Sequence, residues 1–167
     1  LPAAEVIGEP SAYVGKIECD SRRVEAGDLF VAINGGEEVD RHEFISEVLV
    51  RGASAIVAER NVPTGDTPLI LVDNCRSALA RMAGRYFGYP DRSLRLVGIT
   101  GTNGKTTTAL IVRSVLEQAG EKCGYIGTLG YQIDGALEKG RNTTPESPEL
   151  HELLYRMVAA GNRAAVL

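Results

Sequence analysis

Apolar positions along this chain follow two spacings, and the spacing switches repeatedly from one to the other. Short apolar runs predict strands at Ile17-Glu18-Cys19, Gly27 to Ile33, Ala55 to Ala58, Leu69 to Val72, Leu94 to Ile99, Cys123 to Thr128 and Arg163 to Leu167. Helical faces at 3.6-residue spacing alternate with them. Val39, Phe44, Ile45, Val48 and Leu49 form one, and Leu79, Met82, Ala83, Tyr86 and Phe87 another. A third helix is expected over Thr106 to Ala119, and Leu150, Leu153, Leu154, Met157 and Val158 make the fourth face. Gly52 and Gly120 are placed to end helices, and Asp134-Gly135 to turn a hairpin. Residues 1–16 carry weak signals and predict an irregular lead-in. Strands alternating with helices give an α/β class with partly parallel sheets. Tyr89-Pro90-Asp91-Arg92-Ser93 reads as a linker, so the expected domains are 1–91, small and Rossmann-like, and 92–167.

The stretch Gly98-Ile99-Thr100-Gly101-Thr102-Asn103-Gly104-Lys105-Thr106-Thr107-Thr108 joins a predicted strand to a predicted helix. Glycines at such a junction let backbone N–H groups converge on phosphate oxygens. The helix that follows turns its positive end toward the same anion. Gly101, Thr102, Asn103, Gly104, Lys105, Thr106 and Thr107 are therefore the expected nucleotide-binding residues, with ATP as ligand. Lys105 is the expected catalytic charge on the outer phosphates, and the Thr106 hydroxyl the expected Mg²⁺ ligand. The general pattern places glycine five residues before Gly104, where this chain has Ile99, so the loop is a variant. With the strand Cys123 to Thr128 it makes the β-α-β start of a P-loop-type parallel-sheet domain.

Composition narrows the class further. The chain has 167 residues, 44% hydrophobic and 24% charged, as in an ordinary globular protein. Eighteen basic residues against 22 acidic ones leave a net charge of -4, which gives no sign of a nucleic-acid partner. No apolar run approaches membrane-spanning length. Cys19, Cys75 and Cys123 are scattered without metal spacing, which reads as reduced thiols of a cytoplasmic protein. Both ends look cut: the first residue is Leu1, and Arg163 to Leu167 reads as a buried strand stopped midway, expected to have incomplete neighbours.

Other polar clusters have ordinary structural readings. In Asn142-Thr143-Thr144-Pro145-Glu146-Ser147-Pro148, Thr144 or Ser147 can cap the last helix, with Pro145 or Pro148 at its first position. A capped helix start is also a place to hold an anionic substrate. Asp20-Ser21-Arg22 reads as a polar turn, and Asp40-Arg41-His42-Glu43 as a solvated helix start. His42 and His151 have no persuasive ligand spacing and read as surface or packing groups.

Taken together, these segments resemble the Mur ligases, and among them the UDP-N-acetylmuramoyl-tripeptide synthetases (MurE type). Asp20-Ser21-Arg22 with Gly27 to Ala32 is similar to the family's uridine-nucleotide segment. Gly98 to Thr108 is similar to its ATP loop, Tyr125-Ile126-Gly127-Thr128 to the strand after it, and Asn142-Thr143-Thr144-Pro145-Glu146 to its substrate-contacting threonine motif. The resemblance implies that Ser21 contacts the uridine diphosphate end, and that Asn142, Thr143 and Thr144 bind the muramoyl-dipeptide. Gly36 to Asp40 would line the uridine pocket, although Arg41 stands where relatives often have glycine.

The implied reaction is ATP-dependent. The D-glutamate carboxylate of UDP-MurNAc-L-Ala-D-Glu takes the terminal phosphoryl group and releases ADP. The amine of a diamino acid, meso-diaminopimelate or L-lysine, then attacks the acyl phosphate and expels phosphate. The resemblance also implies Mg²⁺, a cytoplasmic monomer, and no membrane or nucleic-acid partner. Further metal ligands and the diamino-acid site would lie beyond Leu167, so the 167 residues alone are expected to be inactive. Two alternatives remain: another ligase of the Mur or folylpolyglutamate type, and a non-catalytic nucleotide-binding module. A guanine-nucleotide switch usually carries an Asn-Lys pair, and the chain has none.

Overall fold

The computed structural model describes residues 4–9, 13–35, 39–140 and 145–167. The chain is α/β and divides into two compact units, Leu1–Met82 and Ala83–Leu167.

The first unit is a five-stranded sheet of β1 (Glu5–Ile7), β2 (Ile17–Glu18), β3 (Leu29–Val31), β4 (Ala55–Ala58) and β5 (Leu69–Leu71). Their spatial order is β1-β5-β4-β3-β2, with β2 to β5 parallel and β1 antiparallel on β5. Both faces are covered, which is why β3 and β4 are apolar throughout. Leu29, Val31 and Val57 pack with Cys75, Ala78 and Leu79 of helix α2 (Cys75–Tyr86). Phe30 and Ile56 point the other way, onto Ile45 and Val48 of α1 (Ile45–Val50).

Two expectations for this unit fail. Residues 5–7 form β1 rather than an irregular lead-in. All three are exposed, so the strand rests on backbone pairing and leaves no apolar alternation to read. The helix expected from Val39 begins later. Asp40 accepts a hydrogen bond from the His42 N–H (3.0 Å) and caps a 3₁₀ turn, Arg41–Phe44, before α1 starts. Val39 is left 47% exposed.

The second unit contains β6 (Arg95–Val97), α3 (Lys105–Gln118), β7 (Cys123–Gly127), β8 (Gly130–Gln132), β9 (Leu137–Glu138), α4 (Ser147–Ala159) and β10 (Ala164–Val166). The sheet order is β6-β10-β7-β8-β9. β10 is parallel to β6 and β7 and hydrogen-bonded on both sides, so it is an interior strand with a neighbour on each side. α3 covers one face, with Ala109 against Tyr125 and Val166. α4 covers the other, with Leu154 and Met157 against Ile126 and Ala165. β8 and β9 pair around Asp134-Gly135, as the sequence predicts. Ser147 does not cap α4: the cap position is Glu146, which makes no side-chain capping bond, and Ser147 and Pro148 sit inside the first turn. Thr144, the other cap candidate, lies outside the described residues. Tyr89 to Ser93, read as a linker, holds a 3₁₀ turn at Pro90–Ser93.

All three cysteines are buried, and none forms a disulfide with a described residue. Burial, with the negative charges of Glu59 and Asp40 behind it, pushes the Cys75 thiol up to about 12. Burial also raises Cys123. Thiols held protonated in this way are packing groups rather than nucleophiles. Among the described residues no helix is long and apolar enough to cross a membrane.

Candidate functional site

In the second unit the parallel strands β6, β10 and β7 all end at the edge where α3 begins. Ligands in open α/β sheets bind outside this carboxyl edge. The segment after β6 is pinned to the sheet, because the Ile99 N–H donates to the Leu167 carbonyl (2.7 Å). Residues 100–104 then turn back into α3. Gly104 takes the cap position with φ 77°, a left-handed conformation that favours glycine. The first helical bond runs from the Thr108 N–H to the Gly104 carbonyl (2.9 Å), so the N–H groups of Lys105, Thr106 and Thr107 have no helical acceptor. These donors and the helix dipole face one spot.

The surroundings of the loop fit an anion. Side-chain carbons added at Gly98 or Gly104 would meet no atom within 4 Å, so these glycines are not there to clear a protein neighbour. Lys105 folds across the loop, its Nζ donating to the Gly101 carbonyl (2.6 Å), and no carboxylate among the described residues pairs with it. A small cleft, open to solvent, lies beside it and is lined by Ile99, Lys105, Thr106, Tyr125, Thr128 and Leu167. Convergent donors with an uncompensated cation suit a polyphosphate. For a divalent cation the arrangement offers the Thr106 hydroxyl. Among the described residues no group of three or more His, Cys, Asp or Glu side chains could hold a metal unaided.

The first unit gathers a second polar edge at the carboxyl ends of β2, β3 and β4. Ser21 follows β2 in a 3₁₀ turn, buried at 7% exposure, and its hydroxyl finds no partner among the described residues. Asp20 caps that turn. The Arg22 guanidinium, at 2.7 and 2.9 Å, holds the Asp20 carboxyl down at about 2. Arg41 donates to the Cys19 carbonyl (2.8 Å), tying the end of β2 to the turn after β3.

His42 is buried at the centre of this edge. Its Nε2 accepts from the Glu59 N–H (3.1 Å), so in the neutral ring the proton sits on Nδ1 and is donated to Asp40 (2.6 Å). Asp40 also pairs with Arg60 (2.8 Å). Desolvation pushes the Asp40 pKa up, but the bonds from the His42 N–H, the His42 ring and Arg60 outweigh it and hold the group at about 2.

The structure thus places Gly101 to Gly104 in the turn before α3 and Lys105 to Thr107 in its first turn, with Lys105 and Thr106 lining the cleft, and places Ser21 in the first unit. Asn142, Thr143 and Thr144 lie outside the described residues. Sequence reading treated His42 as a surface or packing group. Its partner Glu59 is 17 residues away, and no local spacing announces the bond. His151 is a helix side chain whose ring bonds the Ser147 carbonyl (2.8 Å).

Comparison with known proteins covers both units. The profile of the Mur ligase middle domain matches residues 99–167. The UDP-N-acetylmuramoyl-L-alanyl-D-glutamate--2,6-diaminopimelate ligase of Clostridium perfringens (strain 13 / Type A) is 44% identical over 165 residues, which is 98% of this chain and 34% of the relative. Among solved structures, a UDP-N-acetylmuramoyl-L-alanyl-D-glutamate--2,6-diaminopimelate ligase superposes with a TM-score of 0.76 at 26% identity, covering 92% of this chain and 31% of its own. MurF ligase from Thermotoga maritima, solved in complex with ADP, gives 0.59 at 30% identity, covering 91% and 31%. The chain spans about one third of the length of the curated relatives it matches. On its phosphate loop, its strand order and these matches, the chain belongs to the Mur ligase family.

Proposed function

We propose that this chain supplies the uridine-nucleotide-binding unit and part of the ATP-binding unit of an ATP-dependent ligase. The reaction would join a diamino acid to UDP-MurNAc-L-Ala-D-Glu in the cytoplasm, as a step of peptidoglycan synthesis. The observation that carries the reading is the 44% identity to a diaminopimelate-adding ligase, which runs through both units over 98% of the chain. Such relatives favour 2,6-diaminopimelate over L-lysine. Another Mur ligase is disfavoured by the lower superposition of the MurF structure, 0.59 against 0.76.

In this reading the N–H groups at the start of α3 and the Lys105 ammonium hold the outer phosphates of ATP as substrate. Their work is positioning and neutralising charge as the phosphoryl group moves to the glutamate carboxylate. The Thr106 hydroxyl would hold Mg²⁺ against the phosphates, and the ion would add charge neutralisation. The buried, unpartnered Ser21 hydroxyl is suited to a uridine diphosphate oxygen or ring atom. Asn142, Thr143 and Thr144 are assigned to the muramoyl-dipeptide on resemblance alone.

The test is thermal unfolding with UDP-MurNAc-L-Ala-D-Glu, with MgATP, and with neither. A ligand at about 100 times its Kd stabilises the folded state by about 2.7 kcal/mol. Shifts with both ligands are expected. A shift with MgATP alone would return the substrate assignment to the wider family, and no shift with either would overturn the reading. The 167 residues alone are expected to release no substrate-dependent phosphate, and a positive turnover assay would refute that.

A further inference from the structure

Tyr125 lies on β7 and is 1% exposed, packed with Ala109 on the α3 face of the sheet. Its ring runs along the strand toward the carboxyl edge. A side-chain carbon added at Gly127 would come within 2.4 Å of the Tyr125 hydroxyl oxygen and 2.7 Å of Cζ, so glycine at 127 is what admits the hydroxyl. Yet the hydroxyl makes no hydrogen bond to any described residue. It is not sealed off either. The fully enclosed side-chain atoms without a partner among the described residues are Asp91 Oδ1 and Asn162 Oδ1, and the Tyr125 oxygen is not one of them. Its remaining outlet is the cleft that Tyr125 lines together with Lys105 and Thr106.

Packing does not account for this arrangement. Phenylalanine would fill the same space without a hydroxyl that gains no partner among the described residues. A residue at 127 larger than glycine would then meet only the ring. The chain keeps both the hydroxyl and the glycine that makes room for it, at the edge where the helix donors converge.

From this geometry we infer that the Tyr125 hydroxyl is a ligand contact on the floor of the phosphate cleft, donating a hydrogen bond to an oxygen of the outermost phosphate of a nucleoside triphosphate. β7 stands two strands from β6 in the order β6-β10-β7. At about 4.8 Å per strand spacing that is about 10 Å from the strand carrying the loop. The inner phosphates lie over the loop, and the distal end of the phosphate chain is the part that reaches β7. The inference rests on the nucleotide reading of the cleft proposed above.

The test uses the full-length protein and its Tyr125→Phe and Lys105→Ala variants. MgATP and MgADP affinities are measured by calorimetry, and the unliganded melting temperature is read alongside. For Tyr125→Phe, MgATP affinity is expected to fall about tenfold, the loss of one hydrogen bond to a charged group. MgADP affinity and the unliganded melting temperature should stay at the wild-type values. Unchanged MgATP affinity in Tyr125→Phe, with Lys105→Ala strongly weakened, would overturn the Tyr125 assignment and leave the nucleotide reading standing. A lowered melting temperature with equal losses for ATP and ADP would make the hydroxyl structural and also overturn it. Failure of the wild-type protein to bind MgATP would overturn the nucleotide reading and this inference with it.

Discussion

The two mixed sheets of this chain each present, at the ends of their parallel strands, a carboxyl edge equipped for polar ligands, and the two edges are built from opposite materials. At the first, side chains do the organising: Asp40, His42, Arg60 and the Glu59 N–H bond to one another, and Arg41 reaches the Cys19 carbonyl. At the second, backbone does it: a glycine-shaped loop, the open N–H groups of α3, and one lysine that, among the described residues, bonds its own loop. The first edge is largely satisfied by the protein itself and leaves the Ser21 hydroxyl without a partner among the described residues. The second leaves its strongest donors facing solvent. A self-satisfied edge is rigid and costly to disturb, whereas an edge of free donors contributes little to folding and much to binding.

Substitutions can break that contrast. The largest stability loss is expected from His42→Ala, which strands the Glu59 N–H and removes a buried ring. It should cost about 3 kcal/mol in urea unfolding, with MgATP binding unchanged. Lys105→Ala should do the reverse. Binding of MgATP should weaken about 100-fold, equivalent to about 2.7 kcal/mol, while the unliganded melting temperature holds. Equal effects of both variants on stability would erase the distinction. Gly127→Ala should lower stability by about 2 kcal/mol, because the Tyr125 ring must move. Adding Tyr125→Phe should restore only part of that, since Cζ at 2.7 Å remains in the way.

Acid provides a gentler probe of the first edge. Asp40 has its folded pKa depressed from 3.8 to about 2, so its stabilising contribution is present above about pH 4 and is lost as pH falls toward 2. In Asp40→Asn that part of the acid dependence should vanish from the melting curve. The smallest effect is expected on the flank of the second unit. Arg95 pairs with Glu121 at 2.8 Å, but its side chain is 63% exposed. Arg95→Ala should change stability by no more than about 0.5 kcal/mol.

The two edges also differed in how plainly they could be read. The phosphate loop is contiguous, and its residues act through their own backbone, so Gly101 to Thr107 could be named from the sequence alone. The His42 cluster joins Asp40, Glu59 and Arg60, which meet only because β3 and β4 lie side by side. His42 therefore looked like an isolated histidine. Arg41 likewise gave no sign that it would clasp the end of β2. Tyr125 was visible as part of a strand motif, but not as a hydroxyl without a partner.

What the sequence determined by itself was local: apolar runs and helical periods marked most of the strands and α-helices among the described residues, and one glycine-lysine-threonine junction marked where phosphate chemistry is expected. Its failures were also of one kind. β1 exists because an edge strand of β5 was available to pair with, and the Asp40 turn replaced a helix start because a side chain captured the His42 N–H. Tertiary structure alone decided that β10 (Ala164–Val166) becomes an interior strand, inserted between β6 and β7. It also set the strand order that brings Tyr125 and Lys105 to one cleft. Spacing along a chain encodes which face a residue shows, and only the pairing of distant strands decides which residues that face will meet.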